Sequence, residues 1–228
     1  MLRLLYQFPS WMQRLYRGVT WRRRDTGVAA SGQKTVYLTF DDGSIPEVTP
    51  AILDVLAKYG VKATFFVVGD NIRKYPHVYA RVVKEGHRVG NHTYHHVKGT
   101  KCSLVEYLQE VDACEEAISS QKHPTAQACW DSAQSAVRLF RPPYGKMTFD
   151  QKRAVLERGY EIVLWDVLTH DYNCNYSPEK MLCIVQRYTR DGSIINFHDS
   201  IKSGERTITV LPQVIEWLQQ QGYRIATL

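Results

Sequence analysis

Asp41 and Asp42 stand side by side at the end of an apolar run, Val36-Tyr37-Leu38-Thr39-Phe40, and Gly43 follows at once. Adjacent carboxylates repel, so a fold seldom crowds two of them into a tight turn without a cation to hold. A glycine there permits the sharp turn that brings both to one mouth. Further along lies His92-Thr93-Tyr94-His95-His96. His92 and His96 are four apart, so on a helical turn they share a face and could bind one ion, while His95 points elsewhere. Asp42, His92 and His96 then make a two-histidine, one-carboxylate set with open positions, as catalytic metal sites have. Each part also has a plain reading. Asp-Gly is a common turn dipeptide, and a histidine pair can simply face solvent.

Other candidates sit at the ends of apolar runs. Arg141-Pro142-Pro143-Tyr144-Gly145 carries two prolines that stiffen its backbone. A stiff loop can aim a backbone N–H at a developing oxyanion, or serve only as a rigid corner. His198 follows a strand-like run and could be a core histidine; Asp171 could cap a loop, and Asp166 end a strand. Trp165 and Phe197 read as core.

What must position these residues is an alternation of short β-rich runs with amphipathic ones. Strands are expected at 35–40, 63–68, 87–91, 137–140, 160–165, 192–197 and 223–228. Helices are expected between them: from Pro50, with Thr49 as N-cap, to Gly60; 78–84; 104–118, opened by a Ser103/Glu106 capping box; around 154–156; 178–187; and 211–221. Seven β units with helices between them predict an α/β parallel barrel. The ionisable candidates fall after five different strands, on the rim where such barrels build sites. Residues 119–135 read as a surface loop or insertion.

The 228 residues suit one large domain. The net charge of +6 suggests attraction to polyanions such as cell-wall polymers, acidic lipids or nucleic acid, although Arg14, Arg17, Arg22, Arg23 and Arg24 supply much of the excess. No interleaved aromatic and basic motif points to nucleic acid. The five cysteines form no C-x-x-C pair and fit a reducing compartment. No signal-peptide core or membrane span is seen, so a cytoplasmic or cytoplasmic-membrane-associated location is expected. Residues 1–34 form a basic, amphipathic segment that could contact a membrane or cell wall, or pack across the barrel bottom.

Taken in order, Thr39-Phe40-Asp41-Asp42-Gly43, His92-Thr93-x-x-His96, Arg141-Pro142-Pro143-Tyr144-Gly145, Trp165 with Asp171-Tyr172, and Phe197-His198-Asp199 resemble the polysaccharide deacetylase family, the NodB homology domain. The resemblance covers about residues 35–228. It implies a distorted (β/α)7 barrel that hydrolyses the N-acetyl group of a sugar with one divalent metal ion. Carried over residue by residue, it implies Asp42, His92 and His96 as metal ligands and Asp41 as general base. Arg141 would orient Asp41, and Tyr144 would donate its backbone N–H to the oxyanion. His198 would be the general acid, tuned by Asp171. Zinc suits this ligand set first, and cobalt, nickel or iron are also accepted.

The chemistry is coherent. Bound there, the metal would supply polarisation of the carbonyl and a more acidic water. Asp41 would take the water proton and His198 would return one to a nitrogen that leaves poorly without it. Three positions depart from the family pattern. Ser44 stands for the usual proline, Asn196 lies in a stretch usually aliphatic and makes the pocket floor more polar, and Tyr172 replaces a more frequent tryptophan. The expected substrate is an N-acetylglucosamine-type carbohydrate such as peptidoglycan or a chitin oligomer. The rivals are a deacylase of a non-sugar amide or lipid-linked sugar, an inactive carbohydrate-binding relative and, weakly, a two-histidine oxygenase. Oligomeric state is not legible.

Overall fold

The computed structural model describes residues 6–7, 13, 17–23, 32–121 and 137–228. One parallel sheet organises them. Its strands are β1 (Val19–Thr20), β2 (Thr35–Asp41), β3 (Thr64–Val67), β4 (Arg88–Asn91), β5 (Arg138–Phe140), β6 (Tyr160–Val163), β7 (Val167–Leu168), β8 (Ile194–His198) and β9 (Arg224–Ala226). The order is β1-β6-β5-β4-β3-β2-β8-β7, with β9 paired to β2. The helices are α1 (Thr49–Lys58), α2 (Gly69–Lys74), α3 (Pro76–Lys84), α4 (Leu104–Ser120), α5 (Phe149–Glu157), α6 (Pro178–Tyr188) and α7 (Gly204–Gln220). This is the expected α/β barrel-like architecture, with the sheet left open between its end strands β1 and β7. Among the described residues no helix is long and apolar enough to cross a membrane.

Strand alternation decides what faces where. On β2, Val36, Leu38 and Phe40 join the large core between sheet and helices, where Phe40 stacks on Phe65 and Phe197 at 5.0 and 5.7 Å. Tyr37, two residues before Thr39 and four before Asp41, packs on the other face with Phe66, Leu139, Val163, Ile194 and Leu228. Thr39 and Asp41 share that inner face and are buried.

The described N-terminal residues bind both edges of the open sheet. Val19 and Thr20 pair with Ile162 and Val163, while Gln7 bridges Val167 and Arg22 bridges Ser193. Asp166 is the buried hub there. It accepts hydrogen bonds from Arg190, Ser193, Gln7 and Gln13, and so stays out of the cleft. Arg14, Arg24 and most of the expected 119–135 loop lie outside the described residues.

Three local expectations are corrected. The helix expected at 211–221 begins at Gly204 and runs through Pro212, because Val210, Leu211, Val214, Ile215 and Leu218 bury one continuous face. Thr49 does not cap α1: its hydroxyl accepts from the Ile45 N–H and donates to Asp199. The histidine stretch is not a helical turn, since β4 ends at Asn91 and an irregular loop follows.

Candidate active site

The inner face of β2 ends at Asp41, and a set of buried donors closes on its carboxylate. Arg141 donates through Nη1 to Asp41 Oδ1 at 2.7 Å, and Asn196 donates through Nδ2 to Oδ2 at 3.1 Å. The same guanidinium nitrogen meets Thr39 Oγ1 and Asn196 Oδ1, while Nε and Nη2 donate to the Val163 and Leu164 carbonyls. Phe66 lies 4.0 Å beneath the Arg141 guanidinium. Room for that ring comes from Gly90, where a Cβ would meet it at 2.6 Å. Arg141 is fully buried, and its guanidinium meets side chains and backbone carbonyls inside the protein.

Asp42 turns the other way. Its φ of 88° is left-handed, and so are Thr93 at 64°, His96 at 56° and Tyr144 at 60°. Left-handed conformations at non-glycine residues cost on the order of 1–3 kcal/mol each and cluster at functional sites. These turns bring Asp42 Oδ1 to 3.2 Å from His96 Nε2 and 3.8 Å from His92 Nε2. Thr93 fixes the histidine loop, accepting the Val97 N–H at its hydroxyl and donating its own N–H to Asn91 Oδ1. His92 Nδ1 hydrogen-bonds the Arg141 carbonyl at 2.7 Å, which commits Nε2 to the cleft. His95 pairs with Glu110, away from the set. Gly43 proves necessary for close approach: the Asp199 carboxylate occupies the space a Cβ would take, accepting the Gly43 N–H at 2.8 Å.

His198 completes the opposite wall. Its Nδ1 lies 2.7 Å from Asp171 Oδ1, and its backbone N–H donates to Asp171 Oδ2 at 2.6 Å. Thr207, from the first turn of α7, donates to the same carboxylate, and Arg206 donates to the Asp171 carbonyl. Tyr172 presents its ring edge-on to His198 at 5.2 Å.

The electrostatics follow this packing. Burial opposes charge on His198, but Asp171 and then Asp42 and Asp41 outweigh it and raise its pKa to about 10. Burial pulls His92 down to about 4, leaving the neutral ring that binds metals. Burial would raise Asp42, yet His96, His198 and His92 hold it far below the usual carboxylate range. Asp199 is pushed up to about 7, chiefly by burial, with the charge of Asp42 adding to it.

One cleft of about 430 Å³ is lined by Asp41, Asp42, His92, His96, Tyr144 and His198, with Arg141 and Asp171 behind its walls. Asp42, His92 and His96 offer ligand atoms within 4.8 Å of one another. Tetrahedral zinc with donors at about 2.1 Å sets those donors about 3.4 Å apart, close to the two distances above. Asp42 Oδ1 is buried with no hydrogen-bond partner, as an oxygen reserved for a cation would be. The residues therefore fit a divalent ion.

A family model for polysaccharide deacetylase matches residues 29–163. The chain belongs to the polysaccharide deacetylase family. Members of this family are metal-dependent hydrolases acting on C–N bonds. The chain is 35% identical to a chitooligosaccharide deacetylase of a Bradyrhizobium species, over 90% of this chain and 94% of that one. It is 33% identical to a peptidoglycan-N-acetylmuramic acid deacetylase of Bacillus subtilis, over 86% of this chain and 38% of that one. The Bc1960 peptidoglycan N-acetylglucosamine deacetylase, solved with 4-naphthalen-1-yl-N-oxidanyl-benzamide, superimposes with a TM-score of 0.81. It is 31% identical, over 97% of this chain and 95% of that one. A pseudoenzyme from Bacillus anthracis gives a TM-score of 0.76 at 25% identity, over 92% of this chain and 67% of that one. The distorted barrel expected from the sequence is thus the family's fold.

Several contributors went unread in the sequence. Asn196 was expected to make the pocket floor polar; it is fully buried and holds Asp41 and Arg141 instead. Thr39 and Asn196 each lie two before a cleft residue, and the strand period of two could have exposed them. Thr207 carries no such local signal, because its partner is set by packing, and Asp199 stands in the Phe197-His198-Asp199 motif, where its contacts to Gly43 and Thr49 are likewise set by packing.

Proposed function

We propose that this chain is a deacetylase that hydrolyses the N-acetyl group of an N-acetylglucosamine-type glycan, releasing acetate and leaving an amine. The reading is carried by one juxtaposition: an Asp-His-His set, a buried clamped carboxylate and a carboxylate-backed histidine share a single cleft. The deacetylases of chitooligosaccharide and peptidoglycan among its relatives support the same substrate class.

In this reading Asp42, His92 and His96 hold the ion, with zinc the first assignment and cobalt, nickel or iron as substitutes. When bound, the ion supplies Lewis-acid polarisation of the acetyl carbonyl and a more acidic water. Asp41 accepts the proton of the attacking water, and the Arg141–Asn196 clamp keeps its carboxylate aimed. The Tyr144 backbone N–H donates to the oxyanion. His198 delivers a proton to the nitrogen as the C–N bond breaks, and Asp171 keeps the ring charged until then.

The metal-loaded protein should release acetate from N-acetylglucosamine oligomers, lose activity on chelation and regain it with zinc or cobalt. Asp41→Asn should lower kcat by about 10²–10⁴. Undiminished turnover in that variant would remove Asp41 from its role. An inactive, glycan-binding role is the second reading, prompted by the Bacillus anthracis relative. The complete set of acid, base and ligands here speaks against it.

A further inference from the structure

His170 is buried, yet no step of the hydrolysis uses it. It stands just before Asp171 in the loop after β7, and its φ of 60° is left-handed. Backbone of that kind persists where its surroundings over-determine it, and it clusters at functional sites. The surroundings of His170 are specific. Its Nδ1 lies 3.0 Å from Tyr172 Oη, a hydrogen bond that spans Asp171. Its ring stacks on Tyr176 at 5.0 Å and meets Tyr6 edge-to-face at 5.4 Å.

Tyr6 is itself fixed. Its carbonyl accepts the Leu168 N–H at 3.1 Å, its hydroxyl lies 3.0 Å from that of Tyr176, and its ring stacks on Tyr188 of α6 at 5.8 Å. Gln7 bridges Val167, so residues 6 and 7 lie along the open edge of the sheet at β7. At the other end of these contacts stands the acid. Tyr172 lines the cleft, and its ring crosses that of His198 at 5.2 Å and 87°. Asp171 grips His198 at Nδ1 and at the backbone N–H, which leaves the tilt of the ring to the neighbours packed on it. Tyr172, which departs from the family pattern, is that neighbour, and its hydroxyl anchors the far end of its own ring on His170.

We propose that His170 is a positioning residue for the hydrolysis: propped by Tyr6, it holds Tyr172 against His198, so that the acid meets the leaving nitrogen in one orientation. This rests on the deacetylase reading of the same cleft. It also gives a residue that precedes β1 a share in the active site.

The test uses the full metal-loaded chain and two substrates. An N-acetylglucosamine oligomer has an amine leaving group that needs the proton of His198, whereas nitrophenyl acetate releases a phenolate that does not. Losing one neutral hydrogen bond costs about two- to tenfold. Tyr172→Phe and His170→Asn should each lower kcat on the oligomer by about that factor and hold the ester rate within about twofold. Asparagine tolerates the left-handed backbone at position 170. The double variant should fall little further than the worse single one, because both act through one contact. Tyr6→Ala should give a weaker loss of the same kind, again on the oligomer and not on the ester. Equal losses on both substrates, losses that multiply in the double variant, or a Tyr6→Ala protein at full kcat each overturn the inference. If the unsubstituted chain releases no acetate from the oligomer, the deacetylase reading fails instead. NMR of protein carrying isotope-labelled tyrosine then decides the inference alone. The Tyr172 ring signal, assigned by its loss in Tyr172→Phe, should shift in Tyr6→Ala as the imidazoles beside it move, and an unmoved signal ends the inference.

Discussion

Asp41 and Asp42 are neighbours in the chain, yet their carboxylates meet opposite surroundings. Asp41 is the last residue of a regular strand, and two buried donors, Arg141 just after β5 and Asn196 in the middle of β8, meet its two oxygens. Asp42 sits in a left-handed turn with one buried oxygen that no donor meets, facing two imidazoles carried by another irregular turn. A buried unsatisfied oxygen costs about 1–3 kcal/mol, and the left-handed residues add to that. A bound cation would offset this deficit on the Asp42 side, whereas the Asp41 side is already saturated. The contrast assigns two identical side chains to two jobs by environment alone. Arg141 links the sides, since its guanidinium holds Asp41 while its carbonyl orients His92.

The largest effect should come from breaking the deficient side. His96→Ala leaves two of the three proposed ligands, and activity should fall by about 10³-fold or more as several kcal/mol of Lewis-acid stabilisation goes. Metal should then no longer raise the melting temperature, although at about 100 times Kd it stabilises the intact set by about 2.7 kcal/mol. Asp41→Asn should lose activity and keep the metal-dependent shift. If both variants lost metal equally, the division between the carboxylates would collapse.

A smaller effect, confined to alkaline pH, tests the acid wall. Against the pull of burial, Asp171, with Asp42 and Asp41 adding to it, raises His198 from the ordinary 6.5 to about 10. A histidine with a raised folded-state pKa stabilises the fold fully below pH 6.5, and that contribution disappears as pH rises through about 10. A cation at Asp42, His92 and His96 opposes the charge on His198, so the alkaline limb of kcat should lie below 10 but above 6.5. Asp171→Asn should move the limb towards 6.5. The loss in kcat should be about 10²-fold at pH 8.5 and much smaller at pH 6. The stability difference between the proteins should narrow over the same range. A parallel drop at every pH would assign Asp171 to packing instead.

The two sides also differ in how far the sequence reveals them. The strand–helix alternation and the rim position of Asp41, Asp42, His92, His96 and His198 are legible because period and motif are local. The α7 start was misread because Pro212 imitates a helix N-terminus, while the apolar face that carries the helix through it is a packing fact. That error hid Thr207 and Arg206, which hold Asp171 from the first turn. The histidine loop was misread as helical because i and i+4 spacing suits both a helix and a loop with two left-handed residues. Lys98, Lys146 and Lys202, which line the cleft, were invisible, since three separate turns bring them there.

Asn196→Leu should give the smallest change and sharpen the comparison most. Leucine keeps the volume and removes the donor to Asp41 Oδ2 and the acceptor shared by Arg141 and Thr39. Leaving those buried groups short of a partner should cost about 1–3 kcal/mol of stability. With Arg141 still in place, Asp41 loses aim rather than its post, and kcat should fall by about three- to tenfold, the equivalent of roughly 1 kcal/mol. Metal affinity should stay unchanged, because Asn196 touches no ligand of the Asp-His-His set. KM should also hold, because the side chain is fully buried behind Asp41 and does not line the cleft. A raised KM at constant kcat would mean that position 196 shapes the pocket floor. A weakened metal affinity would mean that the clamp and the ligand set are one unit, transmitted through Arg141 to His92.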